Sequence, residues 1–207
     1  MIDTVKRTRF LTEAAAAAAI STMLVLLKLV APFLVIITML AAPIPIIIIT
    51  KEQGFKYGFV TAVVVVLLTT LTGGAPTGLT TSVYAGVLGT IIGYGFRVKW
   101  SYKKIWAIAT MGYLVEMAYK FVIFIYVLGI ADAFSVILDR FTHGAQWIGN
   151  AVVHWLSIPV ELTPESMLPF ALFGILIMFI VNGACYVYLN MELAQELMKR
   201  MRGGLRG

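Results

Sequence analysis

Long apolar stretches separated by short polar turns dominate this chain. A helix that crosses the ~30 Å hydrocarbon core of a bilayer needs about 20 mostly apolar residues. The chain offers six such stretches, which predicts six transmembrane helices in a single domain, residues 1–207. The predicted helices cover about residues 10–30, 33–50, 56–72, 77–96, 105–130 and 168–197, the last continuing past residue 190 into a charged end.

The turns between these helices have recognisable sequences. Residues 51–54 are polar, and the run Gly73-Gly74-Ala75-Pro76 is typical of a tight turn. Pro43 and Pro45 fall inside the second predicted helix and are expected to bend it. Membrane helices tolerate proline when neighbouring groups bond to the carbonyls that it frees.

The segment 132–157 is too polar to cross a membrane. Its apolar residues recur at three- and four-residue steps, while Asp139, His143 and Asn150 fall on the opposite face. This pattern predicts an amphipathic helix that lies on the outer membrane surface or caps the helix bundle. The predicted fold class is therefore an all-α membrane protein, a bundle of six transmembrane helices plus an outer amphipathic helix.

Most of the 16 lysines and arginines lie in clusters at alternate ends of the predicted helices. These clusters precede the first helix, occupy the second and fourth turns, and follow the sixth helix. Basic residues accumulate on the cytoplasmic side of membrane proteins. The chain is thus expected to be a multi-pass protein of the cell membrane with both termini in the cytoplasm, its first helix being retained and not a cleaved signal peptide.

Composition supports this interpretation, because 60% of the residues are hydrophobic and only 13% are charged. The net charge of +6 follows from the orientation clusters, so nucleic acid is not an expected partner. A single cysteine, Cys185, allows neither an internal disulfide nor a CxxC metal pair. The chain contains no phosphate-binding loop and no recognisable catalytic set, so we expect no enzyme activity, no cofactor and no bound metal.

Glu116 and Lys120 are the most informative polar residues. They lie four residues apart in the middle of the fifth predicted helix and therefore share one face. Charged groups at bilayer depth are costly unless they are paired or face a polar cavity. The pair is either a self-neutralising structural ion pair or part of a binding site.

Other polar and aromatic residues on the last three predicted helices extend this candidate substrate-binding site. Small-molecule sites are mostly apolar and aromatic with a few polar anchors. A single buried Asn, however, more often joins two helices by a hydrogen bond. Together with Glu116 and Lys120, the candidate residues are Thr80, Tyr84, Tyr113, Asn182 and Tyr186.

Small residues form stripes on two predicted helices. In the first, Ala14/Ala18 and Ala15/Ala19 are pairs that allow another helix to approach closely. The partner is either another helix of this chain or a second protein. For the Ala85–Gly93 stripe of the fourth helix we expect internal packing. Lys28, near the outer end of the first helix, is expected to extend its ammonium group to the outer surface.

The helix count, the alanine-rich first helix, the Pro43-Ile-Pro45 sequence and the Gly73-Gly74 turn resemble the S-components of energy-coupling-factor (ECF) transporters. The likeness is closest to an uncharacterised bacterial branch of predicted membrane proteins in that superfamily. It implies that the chain binds a vitamin or similar small molecule from outside. It also implies a transmembrane coupling subunit that contacts Ala14, Ala15, Ala18 and Ala19, and two cytosolic ATPase subunits.

A non-transporting membrane scaffold of bacterial morphogenesis or sporulation is the alternative. Such a protein would share the size, the helix count and the basic inner turns. It would have no use for a polar pocket at mid-membrane depth. The surroundings of Glu116 therefore distinguish the two hypotheses.

Overall fold

The computed structural model describes residues 2–126, 131–156 and 162–204, which are helical almost throughout and contain no strand. A short 3-10 helix, Pro32–Leu34, joins the first two α-helices, and a π-helical turn, Ser82–Val87, joins the fourth and fifth. The α-helices are α1 (Ile2–Val30), α2 (Val35–Ala41), α3 (Pro43–Gln53), α4 (Phe55–Thr81), α5 (Leu88–Arg97), α6 (Tyr102–Tyr126), α7 (Ala131–Trp155) and α8 (Pro164–Gly204).

Four helical stretches within the described ranges are long and apolar enough to cross a membrane. They are Arg7–Val30, Pro32–Gln53, Phe55–Arg97 and Pro164–Met201. The prediction of an all-helical membrane protein is therefore confirmed. The predicted fifth helix and the predicted amphipathic segment are also helical, as α6 and α7, but neither is among these four stretches.

The stretch Phe55–Arg97 is interrupted at Gly74, which has a φ of 80° and a ψ of 169°. Only glycine adopts this backbone conformation without strain. On either side of this residue the chain packs against itself: Gly78 lies against Thr70, and Gly86 lies against Ala62. In each contact the two residues are equally far from Gly74 along the chain, about four residues in the first and about twelve in the second. The two halves of the stretch therefore run antiparallel. The tight turn predicted at residues 73–76 is thus present.

The second predicted helix is divided into α2 and α3 at Pro43, as its two prolines predict. Because proline has no N–H, the Met39 carbonyl cannot make its usual bond to residue 43. The hydroxyl of Tyr186 donates to this carbonyl at 2.6 Å. The hydroxyl of Ser21 similarly donates to the carbonyl of Ala42 at 2.6 Å. Side chains of α1 and α8 therefore supply polar partners at the break.

The described chain divides into two compact units, Met1–Met117 with Gly183–Gly207, and Ala118–Asn182. In the first unit, α3 and α5 pack closely because Gly89 and Gly93 have no side chain. A Cβ built on Gly93 would lie 2.6 Å from the carbonyl oxygen of Ile47. The internal packing expected for the Ala85–Gly93 stripe is therefore observed, and Ala85 itself is fully buried.

In the second unit, α7 holds the chain that precedes α8. The Asn150 carboxamide accepts a 3.0 Å bond from the Leu162 N–H, and Gln146 donates to the Leu162 carbonyl at 3.0 Å. The Phe121 and Phe179 rings meet edge to face at 5.4 Å. Two polar residues of the predicted amphipathic helix thus fix a neighbouring loop residue.

Candidate functional site

Three of the candidate residues, Tyr84, Tyr113 and Tyr186, come together inside the first unit. The Tyr113 and Tyr186 ring centroids lie 5.9 Å apart, and Tyr186 also packs against the cluster that contains Tyr84. The rings come from the π-helical turn, α6 and α8. Residues predicted on the fourth, fifth and sixth helices therefore converge into one buried aromatic group, here called the tyrosine cluster.

The π-helical turn explains part of this arrangement. A π turn adds one residue to the helical repeat and shifts the side chains that follow, and such turns are frequent at functional sites. Here it contains Tyr84, whose side chain is only 2% exposed. The irregular turn thus occurs at the position where an aromatic residue enters the bundle.

Several polar atoms on the helical segments that carry these tyrosines are buried without a hydrogen bond inside the described part of the chain. They are the hydroxyls of Tyr84 and Thr110 and the side-chain carbonyl of Asn190. The nearby Thr81 hydroxyl donates to the Thr77 carbonyl at 2.8 Å and not to Tyr84. Most buried polar groups in proteins are bonded, so a group of unbonded ones marks a place where a ligand or water can bind.

The Glu116 side chain is 6% exposed and borders an apolar cavity of about 250 Å³. The other lining residues belong to α4, the π-helical turn and α5, and they include Gly86 and Thr90. We expected this cavity between the fourth, fifth and sixth helices, but no residue of α8 lines it. Glu116 instead faces the hairpin formed around Gly74.

Three candidate residues remain. Thr80 is partly exposed, and its hydroxyl donates to the Pro76 carbonyl at 2.7 Å within its own helix. Asn182 is exposed and Lys120 is partly exposed, and both belong to the second unit. Within the first unit the structure therefore provides two separate candidate positions, the tyrosine cluster and the Glu116 cavity, and Thr80 does not line that cavity.

Lys28 is a further polar residue beside the tyrosine cluster. Its side chain is partly exposed, and its ammonium nitrogen lies 5.4 Å from the centre of the Tyr84 ring. Along α1, Lys28 continues the alternate four- and three-residue spacing of the buried residues Ala14, Ala18, Ser21 and Val25. This heptad-like spacing was a signal that Lys28 borders the side of α1 that packs in the bundle.

The alanine-rich segment of α1 has two different faces. Ala14 and Ala18 are buried against other helices of this chain, whereas Ala15 and Ala19 are exposed. Beside the segment runs an apolar groove of about 440 Å³ that is lined by residues of α1 and α3 and by Ala41 and Leu197. Internal packing thus accounts for the Ala14/Ala18 pair, and only the Ala15/Ala19 pair faces outward.

These features define a multi-helix integral membrane protein with a buried aromatic and polar site. Residues 19–204 match the model of a family described as predicted membrane proteins (DUF2232). The chain belongs to this family. Comparison with curated proteins and with solved structures gives no significant match.

Proposed function

We propose that this chain is the substrate-binding membrane subunit of an ECF-type uptake transporter for a vitamin or similar small molecule. The main support is the buried Glu116 carboxyl at the wall of an apolar cavity, close in sequence to a tyrosine that belongs to the tyrosine cluster. Small-molecule sites combine such apolar walls with a few placed polar groups. A protein that only organises partners does not need this arrangement.

The proposal includes six membrane crossings. The stretch Phe55–Arg97 has 43 residues, which as one straight helix would extend about 65 Å, twice the thickness of a bilayer core. Its break at Gly74 instead supports two crossings. With the other three apolar stretches and α6, the total is six. An even number places both termini on one side, and the basic clusters assign that side to the cytoplasm.

In this topology α7 lies at the outer surface, and its apolar face contacts lipid or the bundle. The Gly74 turn also lies outside, whereas the turn at Gly54 lies inside. Charged side chains gather at the Gly54 turn, as expected on the cytoplasmic side. Arg97 donates to the Glu52 carbonyl at 2.8 Å, and Gln53 donates to the Glu13 carboxylate at 2.8 Å.

The exposed Ala15/Ala19 pair is the proposed contact for a transmembrane coupling subunit, which in turn associates with cytosolic ATPases. Small residues permit close approach of a second helix in a membrane, where van der Waals packing drives association.

Native mass spectrometry of the detergent-purified protein tests the function. We expect a bound small molecule, a stoichiometric coupling subunit, or both. Glu116→Gln should reduce the small-molecule signal, whereas Glu192→Gln, which alters an exposed carboxylate, should not. If lipid is the only bound species and no subunit co-purifies, the proposal is wrong. A protein partner without any ATPase would favour the scaffold.

Cysteine labelling in a Cys185→Ser background tests the topology. Cysteines placed in the turn at residues 73–78 or near Glu161 should react with an impermeant reagent added outside. Cysteines near Gln53 or Gly203 should react only after the membrane is opened. Labelling of position 53 in intact cells would disprove the six-crossing arrangement.

A further inference from the structure

Lys28 follows the buried face of α1 and is itself partly exposed. Val25 and Ser21, three and seven residues earlier on the same face of α1, are both fully buried. Lys28 continues this face, and its ammonium group lies over the ring of Tyr84, with 5.4 Å between the nitrogen and the ring centre. The basic group therefore faces a residue of the tyrosine cluster.

The contact leaves hydrogen-bonding groups of both residues unused. An ammonium group carries three N–H donors, and an aromatic face attracts the charge without accepting those bonds in the way that an oxygen does. Among the described residues, no carboxylate forms an ion pair with Lys28. The Tyr84 hydroxyl, in a side chain that is 2% exposed, also makes no hydrogen bond there.

A charged group at membrane depth normally pairs with an opposite charge or contacts water. Lys28 and Tyr84 together offer a positive charge and an O–H donor at one place. The ligand that matches such a pair is an anion, because it neutralises the charge and accepts bonds from both groups. Charge-assisted bonds of this kind are shorter and stronger than neutral ones.

We propose that Lys28 and Tyr84 form an anion-binding site that takes a carboxylate or phosphate group. Because Tyr84 belongs to the proposed substrate site, and resting on that proposed function, we infer that the transported molecule is anionic. The anionic group would lie against Lys28, and the apolar part of the molecule would lie against the tyrosine rings. The same chemistry could be supplied by the phosphate of a lipid headgroup.

Calorimetric titration of the detergent-purified protein with benzoate tests the site, with the neutral isostere benzamide as the control ligand. We expect benzoate to bind and benzamide not to bind. Lys28→Met should weaken benzoate binding about tenfold or more, because it removes a charge-assisted hydrogen bond to the carboxylate. Lys28→Arg should retain most of the affinity, and Tyr84→Phe should weaken it several-fold.

Lys56→Met is the matched control, since it removes one positive charge from an exposed position on α4. It should leave benzoate binding unchanged. Without ligand, Lys28→Met should unfold at the same temperature as the wild type or at a higher one, because a partly buried charge with no ion-pair partner among the described residues has been removed. Lys28→Arg keeps the charge, so it separates loss of binding from loss of fold.

A second arm identifies the source of the anion. The titrations are repeated in nanodiscs of phosphatidylcholine with and without phosphatidylglycerol, and bound lipid is measured by native mass spectrometry. A phosphatidylglycerol adduct that disappears in Lys28→Met supports the anion site but overturns the inference that the substrate is anionic. The site itself is overturned if benzoate binds equally to wild type and Lys28→Met, or if no anion in either arm depends on Lys28.

The outcomes also separate this inference from the proposed function. Binding that depends on Lys28, in a protein that purifies without a coupling subunit or uptake activity, would support the site and contradict the transporter. A coupling subunit and a small-molecule adduct that are both unaffected by Lys28→Met would support the transporter and contradict the anion site.

Discussion

The phenolic hydroxyl of Tyr186 donates a 2.6 Å hydrogen bond to the main-chain carbonyl of Met39. Met39 lies four residues before Pro43, where the missing N–H would otherwise leave this carbonyl unbonded. Inside a bilayer no water is available to replace such a bond. A residue 147 positions away in the chain therefore completes the backbone at the break between α2 and α3.

Tyr186→Phe should lower the free energy of unfolding by about 1–3 kcal/mol, because it leaves the Met39 carbonyl buried without a donor. Unfolding in mixed micelles of increasing sodium dodecyl sulfate content measures the change. Tyr188→Phe is the matched control, since Tyr188 is 49% exposed, and should have little effect.

The same substitution in a Pro43→Ala background tests the cause. Alanine restores an N–H that can bond to the Met39 carbonyl, so Tyr186→Phe should then cost much less. An equal loss of stability in both backgrounds would show that the hydroxyl does not act through the proline break.

Gly93 should be the glycine that is least tolerant of a side chain between α3 and α5. A Cβ there would meet the Ile47 carbonyl oxygen at 2.6 Å, and backbone atoms cannot move aside as a flexible side chain can. Gly93→Ala should destabilise the protein by about 1–3 kcal/mol, the usual range for overpacking. Thermal unfolding in detergent measures this difference.

Gly174→Ala is the control for that experiment, because a Cβ at Gly174 has no neighbour within 4 Å. This variant should be as stable as the wild type or slightly more stable, since alanine has the higher helix propensity. If both glycine variants lost stability equally, helix propensity or lipid contact would explain the effect better than packing.

Local signals predicted the turns and the helical class well. Gly74 and Pro43 act on the backbone of their own segments, so their effects depend little on the rest of the chain. Helix ends were predicted less well: α1 begins at Ile2 and α8 at Pro164, before the apolar stretches start. Polar residues continue a helix beyond its apolar part, and hydrophobicity alone does not mark that end.

Contacts between distant segments could not be predicted. The partner of Tyr186 is a carbonyl on another helix, and no sequence pattern pairs the two. The Glu116 cavity was expected beside the sixth helix because Glu116, Tyr113 and Tyr186 were predicted to form one substrate-binding site. Tyr113 and Glu116 are three residues apart on α6, so their side chains point about 60° apart around the helix axis. This angle is enough to direct one toward the tyrosine cluster and the other toward the cavity.

Ala15→Leu and Ala18→Leu should have different effects, because only Ala15 is exposed. Ala18 is 2% exposed and packs in the core with Ala42 and Ile46. A leucine there would overpack the bundle and cost about 1–3 kcal/mol. Ala15 is exposed, so Ala15→Leu should leave stability unchanged but reduce co-purification of a coupling subunit. Normal recovery of the subunit with Ala15→Leu would show that this face does not bind it.

Glu116 and Lys120, one turn apart on α6, are tested as a pair because the sequence allows either a structural ion pair or a role in binding. Glu116→Gln and Lys120→Met should each destabilise the protein by about 1–3 kcal/mol, because each single variant leaves the other charge unmatched. The double variant has neither charge and should recover most of that stability. As a control, Glu196→Gln, which affects an exposed pair with Arg200 at 3.1 Å, should change stability by less than about 1 kcal/mol.

Stability alone does not separate a structural pair from a functional one, so ligand binding or uptake is measured on the same double variant. A purely structural pair would leave binding intact once stability is restored. Because the buried Glu116 carboxyl borders a cavity of about 250 Å³, we expect the stable double variant to have lost binding. A double variant that is both stable and fully active would remove Glu116 and Lys120 from the site, and the tyrosine cluster with Lys28 would then be the remaining candidate.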